Sequence, residues 1–297
     1  MGRKAKYTPE EIEFIKTRTL DELCKKWPEA PRNTLLATKR YWRNKVEKKK
    51  ETNEPRVLLH DIEAGPNLGY VYGKYETNVM KFEKEWSLMA YGYKWLGSRA
   101  IESYGQDEYT EEELLEIAHG LLSEADIVVG HNSNGFDNKM LNAKFLEFGF
   151  DPPAPYRSID TLQVARRYFR FTSNSLKDLA EKLDVERKAE LGGFAVWLAC
   201  INGDQKAWNR LKRYNKQDVK VLEDLYIRMR PWIENHPPMN ILSGKEDVCP
   251  KCMSQNMHET DSFKVNKTTT VQRYQCGDCG GWAQSRKSER QDVRYTN

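Results

Sequence analysis

The chain has no apolar run long enough to cross a bilayer, and its first residues, Met1-Gly2-Arg3-Lys4, lack the apolar stretch of a signal peptide. A membrane-spanning or secreted protein is therefore not expected, and an intracellular one is. Met1-Gly2 is not the start of a myristoylation motif, because Lys6 stands where that motif needs Ser or Thr. Cysteine is scarce, with six residues in 297, too few for a disulfide-dense scaffold of this length. Mean hydropathy is low at −0.81 and 31% of residues are charged, yet eight Trp and fifteen Tyr exclude a disordered chain. The length suits one large domain with small appendages.

Charge is unevenly spread. Residues 1–50 hold fifteen Lys/Arg against seven Asp/Glu, and residues 51–240 hold twenty-four against thirty. Residues 241–297 hold nine against seven. A basic head on an acidic body predicts a head that grips a polyanion and a body that holds cations.

Three acidic segments carry the chemistry. The first is Asp61-Ile62-Glu63, which ends the apolar run Val57-Leu58-Leu59-His60. In a strand, alternate residues share a face, so Asp61 and Glu63 point the same way. Carboxylates forced together repel, and a divalent cation relieves the repulsion. The second segment, Ile127-Val128-Val129-Gly130-His131-Asn132-Ser133-Asn134-Gly135-Phe136-Asp137, is a β-branched run entering a polar turn before a helix. Asp137 thus falls at a strand-to-helix junction, where open α/β sheets place ligands. In the third segment, Tyr214-Asn215-Lys216-Gln217-Asp218, Tyr214 and Asp218 are four apart and share one helix face.

Together these segments resemble the motifs of the DEDD 3′–5′ exonuclease superfamily, the proofreading-type nucleases with a ribonuclease H-like fold. Asp61 and Glu63 match its Asp-x-Glu motif, and His131-Asn132 to Phe136-Asp137 resembles the second motif. Tyr214 to Asp218 resembles the third motif of the tyrosine subclass, since Arg213 stands where the other subclass carries His. Ser158-Ile159-Asp160-Thr161-Leu162 and Ser175-Leu176-Lys177-Asp178-Leu179-Ala180 resemble segments between the second and third motifs. The resemblance spans about residues 55–232. It implies an α/β fold with a ribonuclease H-like mixed sheet and flanking helices.

The resemblance also implies a two-metal site. Two Mg²⁺ or Mn²⁺ ions about 3.5–4 Å apart stabilise attacking and leaving oxygens and supply hydroxide near neutral pH. Asp61 is expected to bridge them, with Glu63 and Asp218 completing one ion's site and Asp137 holding the other. Tyr214 is expected to orient the attacking water, and Asp160 is left outside the site.

Residues 1–50 read as a separate three-helix unit. Thr8-Pro9-Glu10-Glu11 has a capping-box pattern and Thr19-Leu20-Asp21-Glu22 repeats its Thr-x-x-Glu signature. Ile12 and Ile15 line the first helix, and Leu20, Leu23 and Trp27 the second. A third helix from Asn33 or Thr34 carries Lys39, Arg40, Arg43 and Lys45. A basic third helix resembles a helix-turn-helix or Myb-like DNA-binding unit, with those four residues as candidate nucleic-acid contacts. Lys48 to Pro55 reads as a linker.

The body, residues 55–235, is expected to open with three antiparallel strands, at about 56–63, 69–75 and 86–95. A helix introduced by Thr110 and Glu113, a strand at 126–130 and mostly helices to about 232 follow. Phe194, Trp197, Leu198 and Trp208 read as helix core. Residues 243–297 hold two Cys-x-x-Cys knuckles, Cys249/Cys252 and Cys276/Cys279, with twenty-three residues between the inner cysteines. Four thiolates bind Zn²⁺ tetrahedrally and leave no open position, so a structural zinc ribbon is expected. Cys24 and Cys200 read as reduced core residues.

The expectation is therefore a metal-dependent 3′–5′ exonuclease with DNA as the favoured substrate and RNA second. It acts in the cytoplasm or on the nucleoid, and a replication or repair protein is a candidate partner. The rivals are a non-catalytic DNA-binding scaffold and a structure-specific or RNA-directed endonuclease on the same fold.

Overall fold

The computed structural model describes residues 7–18, 20–30, 35, 54–75, 78–185 and 192–291. At its centre is a five-stranded mixed sheet of order β5-β4-β1-β6-β7. Strands β1 (Val57–Ala64), β4 (Leu88–Trp95) and β5 (Glu102–Gly105) pair antiparallel. Strands β6 (Ile127–Gly130) and β7 (Arg157–Asp160) add to β1 in parallel.

Alternation along β1 explains how the sheet is covered. Val57 and Leu59 face one way, into a core with Val129 and Ile159. The helices over that face are α5 (Thr161–Tyr168), α6 (Leu176–Lys182) and α8 (Gln205–Met229). Leu58 and Ile62 face the other way, towards α3 (Glu111–Glu124) and α4 (Asp137–Glu147). A sheet with parallel strands needs both faces covered, and the unbroken apolar runs of β1 and β6 meet that need. Burying a leucine such as Leu59 completely contributes about 1.5–3 kcal/mol. Helix α3 starts where the sequence predicts: Thr110 and Glu113 form a reciprocal capping box.

One expected strand differs. The third antiparallel strand is β5, whereas residues 69–75 belong only in part to a separate hairpin. That hairpin pairs β2 (Leu68–Tyr70) with β3 (Lys81–Lys84) and lies outside the central sheet. Every residue of β2 and β3 is exposed, so the pattern that reads as a sheet strand has no core to face. The short helix α7 (Phe194–Ile201) is apolar all round and buries only Val196 and Cys200 completely. Phe194 and Leu198, expected in the core, are exposed instead, while Trp208 on α8 is buried.

Among the N-terminal residues, α1 (Pro9–Thr17) has the expected Thr8/Glu11 capping box, and α2 (Leu20–Lys26) follows. Ile15, Leu23 and Leu35 are buried together, and the rings of Tyr7 and Phe14 meet Trp27 edge-on. The expected third helix, with Lys39, Arg40, Arg43 and Lys45, lies outside the described residues. Among the described residues, no helix is long and apolar enough to cross a membrane.

Candidate active site

Strand β1 outruns its parallel neighbour. β6 pairs only with Val57–Leu59, so the stretch bearing Asp61 and Glu63 is flanked by β4 alone. This leaves a notch past the end of β6. The turn after β6 fills it, and Asp137 Oδ1 accepts the Ile62 backbone N–H at 3.2 Å. The second acidic segment is thereby tied to the backbone of the first, at the residue between Asp61 and Glu63.

Asp160 holds that turn in place. Its carboxylate accepts the backbone N–H groups of Asn132 at 2.9 Å and Asn134 at 3.1 Å, and also caps α5 through Leu162 and Gln163. The left-handed backbone at Asn132, φ 62°, lets the chain double back towards the sheet. Asp160 thus holds the turn that leads to Asp137. Asp137 is 5% exposed, and burial pushes its carboxyl up to about 6. The N–H groups of Asp137 and Ile62 oppose the rise, and the Asp160 charge adds to it.

Helix α8 supplies the third segment. Asn215 is completely buried, and its amide donates to Asp61 Oδ2 at 2.8 Å. Asn215 Oδ1 accepts the Ser103 hydroxyl of β5 at 2.7 Å. The side chain lies across Gly92, the cross-strand partner of Asp61, where a Cβ would sit 2.1 Å from Asn215 Oδ1. Two turns on, Glu223 pairs with Lys94 of β4 in a largely buried ion pair. The helix therefore runs along β4, and Asp218, 4% exposed, falls between these two anchor points. Tyr214 packs against the cluster that includes Met89, Ala90, Trp208 and Leu211, while Arg213 is exposed.

The sequence assigns Asn215 no role beyond its place in the third segment, and it does not single out Gly92, Ser103 or the Lys94–Glu223 pair. The signal was there: Asn215 and Glu223 are polar residues on the face that also carries Leu211, Val219, Leu222 and Tyr226. A polar residue on a core stripe needs a partner, and here the sheet provides it.

Asp61, Glu63, Asp137 and Asp218 each offer carboxylate oxygens, the donor type that hard cations prefer. The raised Asp137 carboxyl marks a buried charge that a nearby cation would stabilise.

A family model, RNase_H_2 of the RNase_H superfamily, matches residues 75–230, just over half of the chain. The chain belongs to the RNase H superfamily. The matched span of this RNase H-like chain includes Asp137, Tyr214 and Asp218 and begins after Asp61 and Glu63. No curated protein matches it. Among solved structures, it is similar to the family B DNA polymerase from the hyperthermophilic archaeon Pyrobaculum calidifontis, at 16% identity and a TM-score of 0.46. That match covers 65% of this chain and 27% of the polymerase chain.

A second candidate centre closes the RNase H-like chain. The sulfurs of Cys249, Cys252, Cys276 and Cys279 all lie within 4.8 Å of one another. Among the described residues they are the one group of three or more potential ligands drawn that close; the carboxylates are more widely spread. The Cys249–Cys279 and Cys252–Cys276 sulfurs are each 3.7 Å apart, well beyond a disulfide bond, and four soft donors so gathered could hold zinc. Strand β9 (Thr269–Cys276) pairs with β8 (Met257–Val265), β10 (Trp282–Gln284) and β11 (Glu289–Arg290) around them. The knuckle also docks on the body. Lys251 is buried and donates to the Pro231 carbonyl at 2.6 Å, just past the end of α8. Met239, in α9 (Met239–Ser243), donates its N–H to the Pro250 carbonyl at 2.8 Å. Cys200 is buried elsewhere, under α8, and burial pushes its thiol up to about 11, leaving it an unreactive core residue.

Proposed function

We propose that this protein is a divalent-metal-dependent 3′–5′ exonuclease of the tyrosine DEDD subclass that hydrolyses nucleic acid, DNA in preference to RNA. One observation carries the reading: Asn215 ties the Tyr214–Asp218 turn to Asp61, while Asp137 bonds the backbone between Asp61 and Glu63. Three segments far apart in sequence are thereby linked near the end of one strand, which supports this reading.

In this reading Asp61, Glu63, Asp137 and Asp218 hold two Mg²⁺ or Mn²⁺ ions. When bound, such ions stabilise charge on the attacking and leaving oxygens and lower the pKa of water. Asp61 would serve both ions, and the Asn215 amide holds its carboxylate in one rotamer. Glu63 and Asp218 would help to hold one ion, and Asp137 the other. The Tyr214 hydroxyl orients the water that attacks the terminal phosphodiester, and its ring is held by the apolar cluster around Ala90. Nucleoside monophosphates leave from the 3′ end.

Residues 1–50 serve as a helix-turn-helix-like DNA-binding head, with Lys39, Arg40, Arg43 and Lys45 meeting phosphates or base edges. Residues 55–235 form the exonuclease domain and 243–297 a zinc ribbon on Cys249, Cys252, Cys276 and Cys279. Support for the head is its charge, fifteen Lys/Arg against seven Asp/Glu. Deleting residues 1–50 should weaken duplex binding and flatten its salt dependence, and an unchanged slope would remove the head from DNA contact.

The polarity is tested with 5′-labelled single-stranded DNA and RNA oligonucleotides in Mg²⁺. A ladder shortening from the 3′ end, faster on DNA, is expected. Discrete internal fragments would indicate an endonuclease, and intact oligonucleotides would indicate a binding protein.

A further inference from the structure

The β2–β3 hairpin carries eight exposed large apolar residues within fifteen positions, Leu68 to Phe82. Tyr72 is 86% exposed and Tyr75 is 91% exposed, so nothing in the described chain covers them. Water-facing aromatics in this density are unusual for a surface with no occupant.

The hairpin is a built structure. The Met80 N–H donates to the Tyr70 carbonyl at 2.8 Å. Val79 folds across the strand at Gly69, where a Cβ would meet Val79 Cγ1 at 2.4 Å. Its root is clamped where Trp86 N–H donates to Asn67 Oδ1 and Gly65 N–H to the Ser87 carbonyl, both at 2.8 Å. Gly65 lies two residues beyond Glu63, so the strand bearing Asp61 and Glu63 leads directly into this projection. A bulge between Glu63 and Ala64 redirects it out of the central sheet.

Charge selects the occupant. Residues 51–240 hold more acids than bases, whereas residues 68–84 hold three lysines against two glutamates. Lys74 approaches the Tyr75 ring at 5.8 Å, and Lys81 and Lys84 are exposed on β3. Aromatics interleaved with ammonium groups suit unpaired bases that stack on rings while their phosphates meet cations. A purely apolar protein partner would gain nothing from the lysines.

We propose that the β2–β3 hairpin is a stacking platform for the single-stranded end of the nucleic acid whose terminus enters the carboxylate site. Tyr72 and Tyr75 stack on unpaired bases, and Lys74, Lys81 and Lys84 neutralise phosphates. This rests on the nuclease reading for the source of the strand.

The test uses the full chain in EDTA, with a 5′-fluorescein (dT)12 oligonucleotide followed by anisotropy. Tyr72→Ala/Tyr75→Ala should weaken binding at least tenfold, and Tyr72→Phe/Tyr75→Phe should keep wild-type affinity because the rings remain. Both side chains are too exposed for the change to unfold the domain. Mn²⁺-dependent hydrolysis of thymidine 5′-(p-nitrophenyl phosphate), too short to reach the hairpin, should be unchanged in the alanine variant. A 5-iodouracil oligonucleotide should photocrosslink at Tyr72 or Tyr75, which separates this contact from any made by the basic head. Unchanged affinity together with crosslinks only outside residues 68–84 would overturn the platform. A tyrosine-dependent dimer whose oligonucleotide affinity is unaffected would overturn it too, making the patch a contact between copies. Tyrosine-dependent binding with no hydrolysis of either substrate would support the platform while removing the nuclease reading.

Discussion

The Asn215 amide donates to Asp61 Oδ2 at 2.8 Å while the same side chain lies over Gly92, directly across the sheet from Asp61. One buried amide therefore sets both the rotamer of a candidate metal ligand and the seating of the helix that brings Asp218. The β4 position opposite Asp61 must lack a side chain for this to happen.

That relationship predicts a coupled pair of substitutions. Asn215→Ala leaves the Ser103 hydroxyl without its acceptor and should cost about 1–3 kcal/mol of stability. It should also lower the cleavage rate about 100-fold by freeing Asp61, with little change in KM. Gly92→Ala should cost about 1–3 kcal/mol through overpacking against the amide. Combining the two should cost less than their sum, because alanine at 215 makes room for the new methyl. Urea melts of the four proteins measure the coupling, and strict additivity would show that the contact is not shared.

Burial raises the Asp137 carboxyl from 3.8 to about 6, and the sign of the consequence is definite. A carboxyl whose folded pKa lies above its unfolded value stabilises the fold fully below about pH 4 and loses that contribution as pH rises through 6. At pH 8 the metal-free protein should carry a penalty of about 3 kcal/mol from this group. Asp137→Asn, which keeps an acceptor for Ile62 N–H, should therefore melt higher than wild type at pH 8 without metal. The difference should vanish near pH 4. Mg²⁺ should raise the melting temperature of wild type at pH 8 more than that of the variant. Identical pH profiles for the two proteins would refute a buried, strained Asp137.

His60 titrates in the opposite sense. It is 1% exposed, and burial lowers its pKa to about 4, with the Asn138 side chain opposing. Its stabilising contribution is present above about pH 6.5 and is lost as pH falls through 4, a change of about 3 kcal/mol. His60→Gln should flatten the acid limb of a stability profile between pH 6.5 and 4. An unaltered limb would show that His60 is not kept neutral in the fold.

The four thiols predict one zinc per chain by metal analysis, released by strong chelators with loss of amide protection in β8–β10. Cys276→Ser should release it at far lower chelator concentration. Lys251→Met should leave zinc content intact but loosen the knuckle from Pro231, seen as faster exchange at residues 230–240. A chain that folds fully with no zinc would contradict a structural site.

What the sequence revealed depended on whether a signal was local. Asp61, Glu63, Asp137 and Asp218 stand out because short apolar runs and a helical spacing frame them, and the structure places each in the expected kind of element. The Thr110–Glu113 cap and the cysteine pairs were legible for the same reason. The β5 strand was not, since Glu102-Ser103-Tyr104-Gly105 has no strong pattern and becomes a strand by pairing with β4. The strand reading of 69–75 misled because its aromatic pattern belongs to a projecting hairpin with no core behind it. Asn215 was within the quoted third segment, yet only the approach of Gly92 and Asp61 gives it a role.

The most direct test of the central claim is single-turnover cleavage of a 5′-labelled DNA oligonucleotide in Mg²⁺ by wild type and by Asp218→Asn. The substitution keeps the shape and removes the charge. The account predicts a Mg²⁺-dependent wild-type reaction, abolished by EDTA, and a loss of at least about a thousandfold in the variant. Oligonucleotide affinity measured in EDTA should be the same for both. Full activity in Asp218→Asn would contradict a site built from these four carboxylates.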